Sequence, residues 1–145
     1  MKTIMIATDG SAPADDALDV AIELARESGA TLEVLSVRPP VVAGRAGAGP
    51  PILEVEEPGG AQRIAEAAAA HASAAGVDAT PHSAHGEIVD CIREAAIAVG
   101  AELLVVGSRG HGPVSGALLG SVSHALIARS PIPVTVVRHA PSLTA

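Results

Sequence analysis

The segment LLVVGSRGHGPVSGALLGS, residues 103–121, determines how the rest of the chain is interpreted. It begins with an apolar run typical of a buried strand and continues into a loop with glycines at 107, 110, 112, 116 and 120. The residues that follow, VSHALIAR, are typical of a helix. Such a loop exposes backbone N–H groups, and a helix N-terminus adds donors and a partial positive charge. The pattern therefore favours a phosphate-binding loop, with a plain turn as the alternative.

Length and composition predict a single aliphatic domain and argue against a nucleic-acid-binding protein. The chain has 145 residues, of which 48% are hydrophobic, and it contains no Phe, Tyr or Trp. This length predicts a single domain, residues 1–145, with a core of aliphatic side chains. Nucleic acid is not an expected partner, because the net charge is −7 and no aromatic ring is present to stack on a base.

The sequence also predicts a cytoplasmic protein with no membrane partner. The single cysteine, Cys91, cannot form an internal disulfide, and it is expected to be a small core residue rather than a nucleophile. The apolar run at the N-terminus ends at Asp9, which is too early for a signal peptide. The longest uncharged stretch, residues 110–128, contains four glycines and a proline and is not a membrane span.

Apolar runs and helical periodicity alternate along the chain. Strands are predicted at residues 2–8, 31–37, 77–83, 102–107 and 133–138, and helices at about 13–28, 61–75, 87–99 and 119–129. The Pro- and Gly-rich segment 39–60 has neither period and is expected to be a connection. Strands of Val, Ile and Leu that alternate with helices predict a parallel sheet with helices on both faces. Pro81 predicts an edge position for the third strand.

Ligands of such sheets bind at the carboxyl ends of strands, where the strand order reverses. Asp9, Val37 and Gly107 lie at the ends of the first, second and fourth predicted strands. If the first and fourth strands are neighbours, these three residues meet in one crevice beside the glycine-rich loop.

Two common nucleotide-binding signatures do not fit this loop. No glycine is followed by Lys, which excludes the Walker A pattern GxxxxGK[ST]. The nearest match to the dinucleotide fingerprint GxGxxG is residues 110–116, which has one residue too many and follows the fourth strand instead of the first. NAD is therefore not an expected ligand.

The spacing Gly107-x2-Gly110-x9-Gly120-Ser121 instead resembles G-x2-G-x9-G-[ST], the ATP-binding signature of the universal stress protein family. The resemblance extends along nearly the whole chain, through IMIATDGS (4–11), HGEIVDCIREAA (85–96), ELLVVGSRGHG (102–112) and GSVSHALIARSPIPVTVVR (120–138). It implies a three-layer α/β/α sandwich with a five-stranded parallel sheet, a Rossmann-like fold of the adenine nucleotide alpha hydrolase type.

The resemblance also implies which residues hold ATP, with the presence of Mg²⁺ left open and no metal ligands expected from the protein. Asp9 would contact the ribose, with Ala7 on the same wall. Val37 would present its backbone to the adenine edge. Val106 and Gly107 would flank the ribose and the α-phosphate.

The phosphates would be wrapped by backbone N–H groups of Gly110, Gly120, Ser121 and Val122, with the Ser121 hydroxyl as a further donor. Arg109 has two interpretations with equal support. It pairs with phosphate oxygens, or it is an exposed residue of the loop.

No catalytic set is visible in the sequence. Lys2 is the only lysine, and Asp9 is the only acidic residue expected near the crevice. We therefore expect a stress-response or regulatory protein that binds ATP and hydrolyses it slowly at most. The resemblance also implies a homodimer through strand 133–138, so the alternative is an ATP-independent dimerisation or interaction module of the same fold.

Overall fold

A computed structural model describes residues 1–40, 59–108 and 120–139 of the protein. Within these residues the elements are β1 (Thr3–Ala7), α1 (Ala12–Ser28), β2 (Thr31–Arg38), α2 (Gly60–Ala74), β3 (Ala79–His85), α3 (Ile88–Ala98), β4 (Leu103–Gly107), α4 (Ser121–Arg129) and β5 (Val134–Val137). The strands form one sheet in the order β3-β2-β1-β4-β5, and each pairing is parallel. The predicted five-stranded parallel sheet is confirmed.

Helices cover both faces of this sheet. Because side chains alternate along a strand, Ile4 and Ile6 of β1 enter the buried cluster formed with α1 and α2. Met5, between them, enters a second buried cluster on the opposite face, formed with α3 and α4. The three-layer α/β/α arrangement is therefore also confirmed.

Helix α1 begins and ends as its sequence predicts. The Ser11 side chain accepts a hydrogen bond from the Ala14 N–H, and Gly29 ends the helix with a φ of +73°, a conformation that favours glycine. The buried stripe includes Leu18 and Ile22. Val20 is half-buried and lies outside that stripe.

The third strand begins two residues later than the sequence predicts. Gly76 has a φ of +88°, and the N–H of Val77 donates to the Ala72 carbonyl at 3.1 Å, so this buried residue belongs to the turn that follows α2 and not to the strand. The edge position predicted from Pro81 is confirmed, since β3 is the outermost strand beside β2.

Helix α3 begins with an acidic cap that the sequence analysis did not identify. The Glu87 carboxylate accepts hydrogen bonds from the N–H of Asp90 at 2.7 Å and from the N–H of Val89 at 3.1 Å. These bonds favour the ionised form and hold the pKa of Glu87 below its ordinary value of 4.5. The ionised carboxylate therefore supports the folded state.

Replacing Glu87 by Ala is expected to lower the melting temperature at pH 7. A carboxyl group with a lowered folded-state pKa stabilises the fold above its unfolded-state pKa, and this contribution is lost as the pH falls through the folded-state pKa. The difference between Glu87→Ala and the wild type should therefore shrink as the pH falls below about 4.5. Thermal unfolding followed by circular dichroism between pH 3 and pH 7 measures it. Glu94→Ala, an exposed change on the same helix, should have little effect, and an equal loss at every pH would contradict the cap.

Candidate functional site

The strand order reverses between β1 and β4. From β1 the chain continues outward through β2 to β3 and then crosses to the other side of β1, where β4 and β5 follow. The pairing of β1 with β4 that the crevice requires is therefore present. Asp9, Val37 and Gly107 lie at the same edge of the sheet, at the carboxyl ends of three adjacent strands.

Four of the residues assigned to the site lie on one face of this edge. Val106 is buried in the cluster beneath α3 and α4, and Ala7, Val37 and Val122 are half-buried against the same cluster. We call these four residues the apolar wall. It combines three neighbouring strands with the first turn of α4, and its side chains are all aliphatic.

Asp9 lies in a tight turn beside the apolar wall. Its Oδ1 accepts hydrogen bonds from the Ser11 N–H at 3.0 Å and from the Ser11 hydroxyl at 2.5 Å. Gly10, between them, has a φ of +78°, and its N–H donates to the Thr8 hydroxyl at 3.1 Å. The N–H of Thr8 donates in turn to the Leu35 carbonyl of β2 at 2.9 Å. The turn that carries the Asp9 carboxylate is therefore hydrogen-bonded to β2 of the sheet through Thr8.

The start of α4 is held against the end of β4. The N–H of Gly120 donates to the Ser108 carbonyl at 2.6 Å, and the hydroxyl of the buried Ser123 lies 3.3 Å from the same oxygen. Ser108 in turn donates its N–H to the Val137 carbonyl of β5 at 2.8 Å. The sequence analysis missed this junction. Its only signal is the pair of serines at 108 and 123, which lie on either side of the glycine-rich loop.

The first turn of α4 suits an anion. Gly120 is the N-cap residue and supplies no side-chain hydrogen bond to the helix. The first N–H groups of a helix have no intrahelical acceptor, and they lie at the positive end of its dipole. Ser121 is exposed at this end, and Gly107 is half-buried at the end of β4.

Two of the ten assigned residues cannot be placed. Arg109 and Gly110 lie outside the described residues, as does most of the Pro- and Gly-rich connection, residues 41–58. Their assignment remains a prediction from the sequence.

The surroundings of Cys91 disfavour its thiolate form. It is half-buried on α3, and a Cβ placed on Gly86 would lie 3.1 Å from its Sγ. Burial raises the pKa of the Cys91 thiol, and the carboxylates of Glu94, Glu87 and Asp90 raise it further. The raised pKa disfavours a nucleophile, whereas the predicted core position is not observed, because Cys91 lies outside both buried clusters.

The described residues form one further groove and lack two kinds of feature. The groove, of about 610 Å³, lies on the opposite face of the sheet between α1 and α2, where His71 Nε2 is 3.4 Å from Asp19 Oδ1. Within the described ranges no three His, Cys, Asp or Glu side chains are grouped so that they could hold a metal ion. No helix in those ranges is long and apolar enough to span a membrane.

Comparison with known proteins assigns the chain to a family. A model of the universal stress protein family matches residues 1–138. Universal stress protein YxiE of Bacillus subtilis (strain 168) is 36% identical over 146 residues, which cover 93% of this chain and 97% of that protein.

Solved structures agree with this assignment. A universal stress protein in complex with cAMP is 28% identical, with a TM-score of 0.71 over 96% of this chain and 98% of that one. The fold is also that of a universal stress protein from Archaeoglobus fulgidus, which is 24% identical with a TM-score of 0.74 over 94% of this chain and 98% of that one. The protein therefore belongs to the universal stress protein family.

Proposed function

We propose that the protein binds ATP at the crevice between β1 and β4 and acts as a nucleotide-dependent stress-response or regulatory protein. One observation carries the proposal. The apolar wall, the Asp9 carboxylate and the uncapped start of α4 all lie at the carboxyl edge of the sheet, where the strand order reverses. Ligands of open α/β sheets bind at this position.

Each part of the crevice suits one part of the nucleotide. The apolar wall offers aliphatic packing for adenine, and the Val37 backbone would hydrogen-bond the edge of the base. Asp9 accepts hydrogen bonds and would bind the ribose hydroxyls. The N–H groups of Ser121 and Val122 would bind phosphate oxygens, together with Gly110 and Arg109 of the loop.

Support for ATP comes from two directions. The solved relative at 28% identity is in complex with cAMP, which supports an adenine nucleotide as the class of ligand. The glycine signature from Gly107 to Ser121 supports a ligand with several phosphates. Any Mg²⁺ would be bound through the phosphate oxygens of the nucleotide.

We expect binding rather than turnover. Hydrolysis needs a positioned water and a base to activate it. Among the described residues of the crevice, Asp9 is the one carboxylate, and its Oδ1 is already bonded to Ser11. Hydrolysis at this site would therefore be slow.

A second proposal concerns assembly. We propose a homodimer that pairs through strand 133–138 of each chain. Strand β5 is the last in the sheet. The carbonyls of Pro133 and Val137 accept hydrogen bonds from the N–H groups of Leu104 and Ser108 on the β4 side. In a parallel ladder this leaves the backbone groups of Val134 and Val136 directed away from β4, toward a strand that could pair there. In the alternative function, an ATP-independent interaction module, the same edge would pair two chains whether or not a nucleotide is bound.

The rest of the proposal concerns the whole chain. We propose that residues 1–145 form a single domain that acts in the cytoplasm, as the single cysteine and the matched residues 1–138 favour.

Nucleotide analysis of the purified protein tests the proposed ligand. The protein is denatured, and the released small molecules are separated by chromatography and identified by mass. Isothermal titration with ATP and GTP then compares the two bases on nucleotide-free protein. We expect bound adenine nucleotide or micromolar ATP affinity, with weaker binding of GTP. A protein that releases no nucleotide and binds neither ligand at millimolar concentration would refute the proposal.

A further inference from the structure

The hydroxyl of Ser11 makes two hydrogen bonds with different consequences. It accepts the Ala14 N–H at 3.3 Å, which caps α1, and it donates to Oδ1 of Asp9 at 2.5 Å. A serine hydroxyl has a single proton. Because the Ala14 bond uses an acceptor position, the proton remains for Asp9, and the two bonds are compatible.

The Ser11 end of these bonds is buried, and the Asp9 end is partly buried. Ser11 is 7% exposed, and Asp9 is half-buried. The Ser11 N–H also donates to Oδ1 of Asp9, at 3.0 Å. Two donors from one residue therefore converge on one carboxylate oxygen, which fixes the rotation of the carboxylate about its side-chain bonds.

Helix α1 is a rigid support for this arrangement. It has 17 residues, and Ala14, Ala17 and Leu18 bury its first turns against the sheet. A carboxylate bonded to the cap of such a helix keeps its orientation when no ligand is present. An acceptor that is already oriented binds a hydroxyl at a smaller entropic cost than an acceptor that must first be ordered.

We propose that Ser11 is a positioning residue that orients the Asp9 carboxylate toward the ribose hydroxyls of the nucleotide. The proposal rests on the proposed function. It adds that recognition of ribose depends on a residue that does not itself contact the ligand. It also links nucleotide recognition to the N-terminus of α1 through Ser11.

A purely structural role for Ser11 predicts a different result from a positioning role. Ala at an N-cap weakens a helix, whereas Gly at the same position is nearly as good a cap as Ser. Ser11→Gly therefore removes the hydroxyl with little loss of helix stability, and Ser11→Ala removes the hydroxyl and the cap together. The two variants should differ in melting temperature but agree in ribose recognition.

The experiment measures the affinity of the full chain for ATP and for 2′,3′-dideoxy-ATP, which lacks both ribose hydroxyls. We expect the wild type to prefer ATP by about tenfold or more, the effect of a lost hydrogen bond to a charged group. In Ser11→Gly and in Ser11→Ala this preference should fall at least about threefold, because ATP binding weakens and dideoxy-ATP binding does not. In an Asp9→Ala background, Ser11→Gly should have no further effect on the preference.

Three results would overturn the inference. The first is a wild-type preference in Ser11→Gly. The second is an equal loss of affinity for both ligands, which indicates a structural role alone. The third is a wild type that binds ATP without preferring it to dideoxy-ATP, which removes Asp9 as the ribose ligand. A wild type that binds neither nucleotide refutes the proposed function itself, and the inference with it.

Discussion

Replacing Gly120 by Val is expected to weaken ATP binding by about 100-fold or more while the protein stays folded. The substitution places a branched side chain at the start of α4, in front of the N–H groups of Ser121 and Val122. Hydrogen bonds from such groups to a charged oxygen contribute about 1.5–3 kcal/mol each. The loss of two of them reaches the expected magnitude, since tenfold in affinity corresponds to about 1.4 kcal/mol. Isothermal titration with ATP provides the measurement.

The backbone of Gly120 strengthens this prediction. Its φ of −63° and ψ of 160° are extended values that any residue adopts. The conformation therefore does not require glycine, and the proposed reason for glycine is the space that a phosphate would fill. Val is a poorer N-cap than Gly by roughly 1 kcal/mol, which is small beside a typical stability of about 5–15 kcal/mol.

Gly60 provides a matched control. It is the first residue of α2, on the opposite face of the sheet, and a Cβ placed there would have no atom within 4 Å. Gly60→Val therefore makes the same chemical change at another helix start, and its ATP affinity should equal that of the wild type. If Gly120→Val shows a native circular dichroism spectrum and normal ATP affinity, the phosphate site at α4 is refuted.

Local signals made most of the fold predictable. The other strands, unlike β3, are apolar runs bounded by turn residues, and Ser11 and Gly29 mark the ends of α1. Where the observed helices and strands differ from the predicted ones, the difference lies in their first or last residues. Strand β3 begins after Val77 because the Val77 N–H bonds to the Ala72 carbonyl in the turn that follows α2, and neither residue type signals that bond in the sequence.

The sequence assigns residues to the candidate site but does not give their arrangement. The strand ends and the glycine signature of the resembled family point to Asp9 and Gly120, and their role in binding stays a prediction. That Val106 and Val122 belong to one wall depends on which way β4 faces and on where α4 packs. The bonds of Gly120 and Ser123 to the Ser108 carbonyl span 12 and 15 residues of sequence, and residue types alone do not reveal such distant pairings.

The turn at Asp9 has a recognisable signal in the sequence. In the tripeptide Asp9-Gly10-Ser11, a carboxylate lies two residues before a hydroxyl with a glycine between them, a pattern typical of a turn closed by the Asp side chain. The Glu87 cap is different. Ser, Thr, Asp and Asn are the usual N-caps, and the bonds of a longer side chain to Val89 and Asp90 are visible only in the structure.

Replacing Val136 by Pro is expected to convert the proposed dimer into a monomer. Val136 lies in the last strand of the sheet, and the ladder to β4 leaves its N–H directed toward the open edge. Pro removes that donor and places its ring where a partner strand would pair, yet it is tolerated on an edge strand when the N–H faces outward. Sedimentation velocity at concentrations that span the wild-type dissociation midpoint measures the change, which should exceed about tenfold in the dimer dissociation constant.

Thr135→Pro is the matched control, one residue away on the same strand. Thr135 lies opposite Val105, and the parallel ladder directs its N–H toward β4. Its loss leaves a carbonyl of β4 without a partner, which costs about 1–3 kcal/mol. Thr135→Pro should therefore lower the melting temperature more than Val136→Pro does. A Val136→Pro protein that sediments as the wild-type dimer would remove β5 from the interface, and a wild type that is monomeric at high concentration would remove the dimer.

The variants at positions 120 and 136 together separate the two proposed functions. None of the residues assigned to the crevice lies in β5 (Val134–Val137), so Val136→Pro should still bind ATP with wild-type affinity. The junction at Ser108 connects the start of α4 to the Val137 carbonyl. A nucleotide bound at α4 would therefore be one hydrogen-bonded residue away from the strand of the proposed dimer edge. If Gly120→Val dimerises normally with and without ATP, assembly is independent of the nucleotide. If ATP changes the dimer dissociation constant of the wild type and not that of Gly120→Val, the two sites are coupled. Because coupling is reciprocal, the wild-type dimer must then bind ATP with a different affinity from the Val136→Pro monomer.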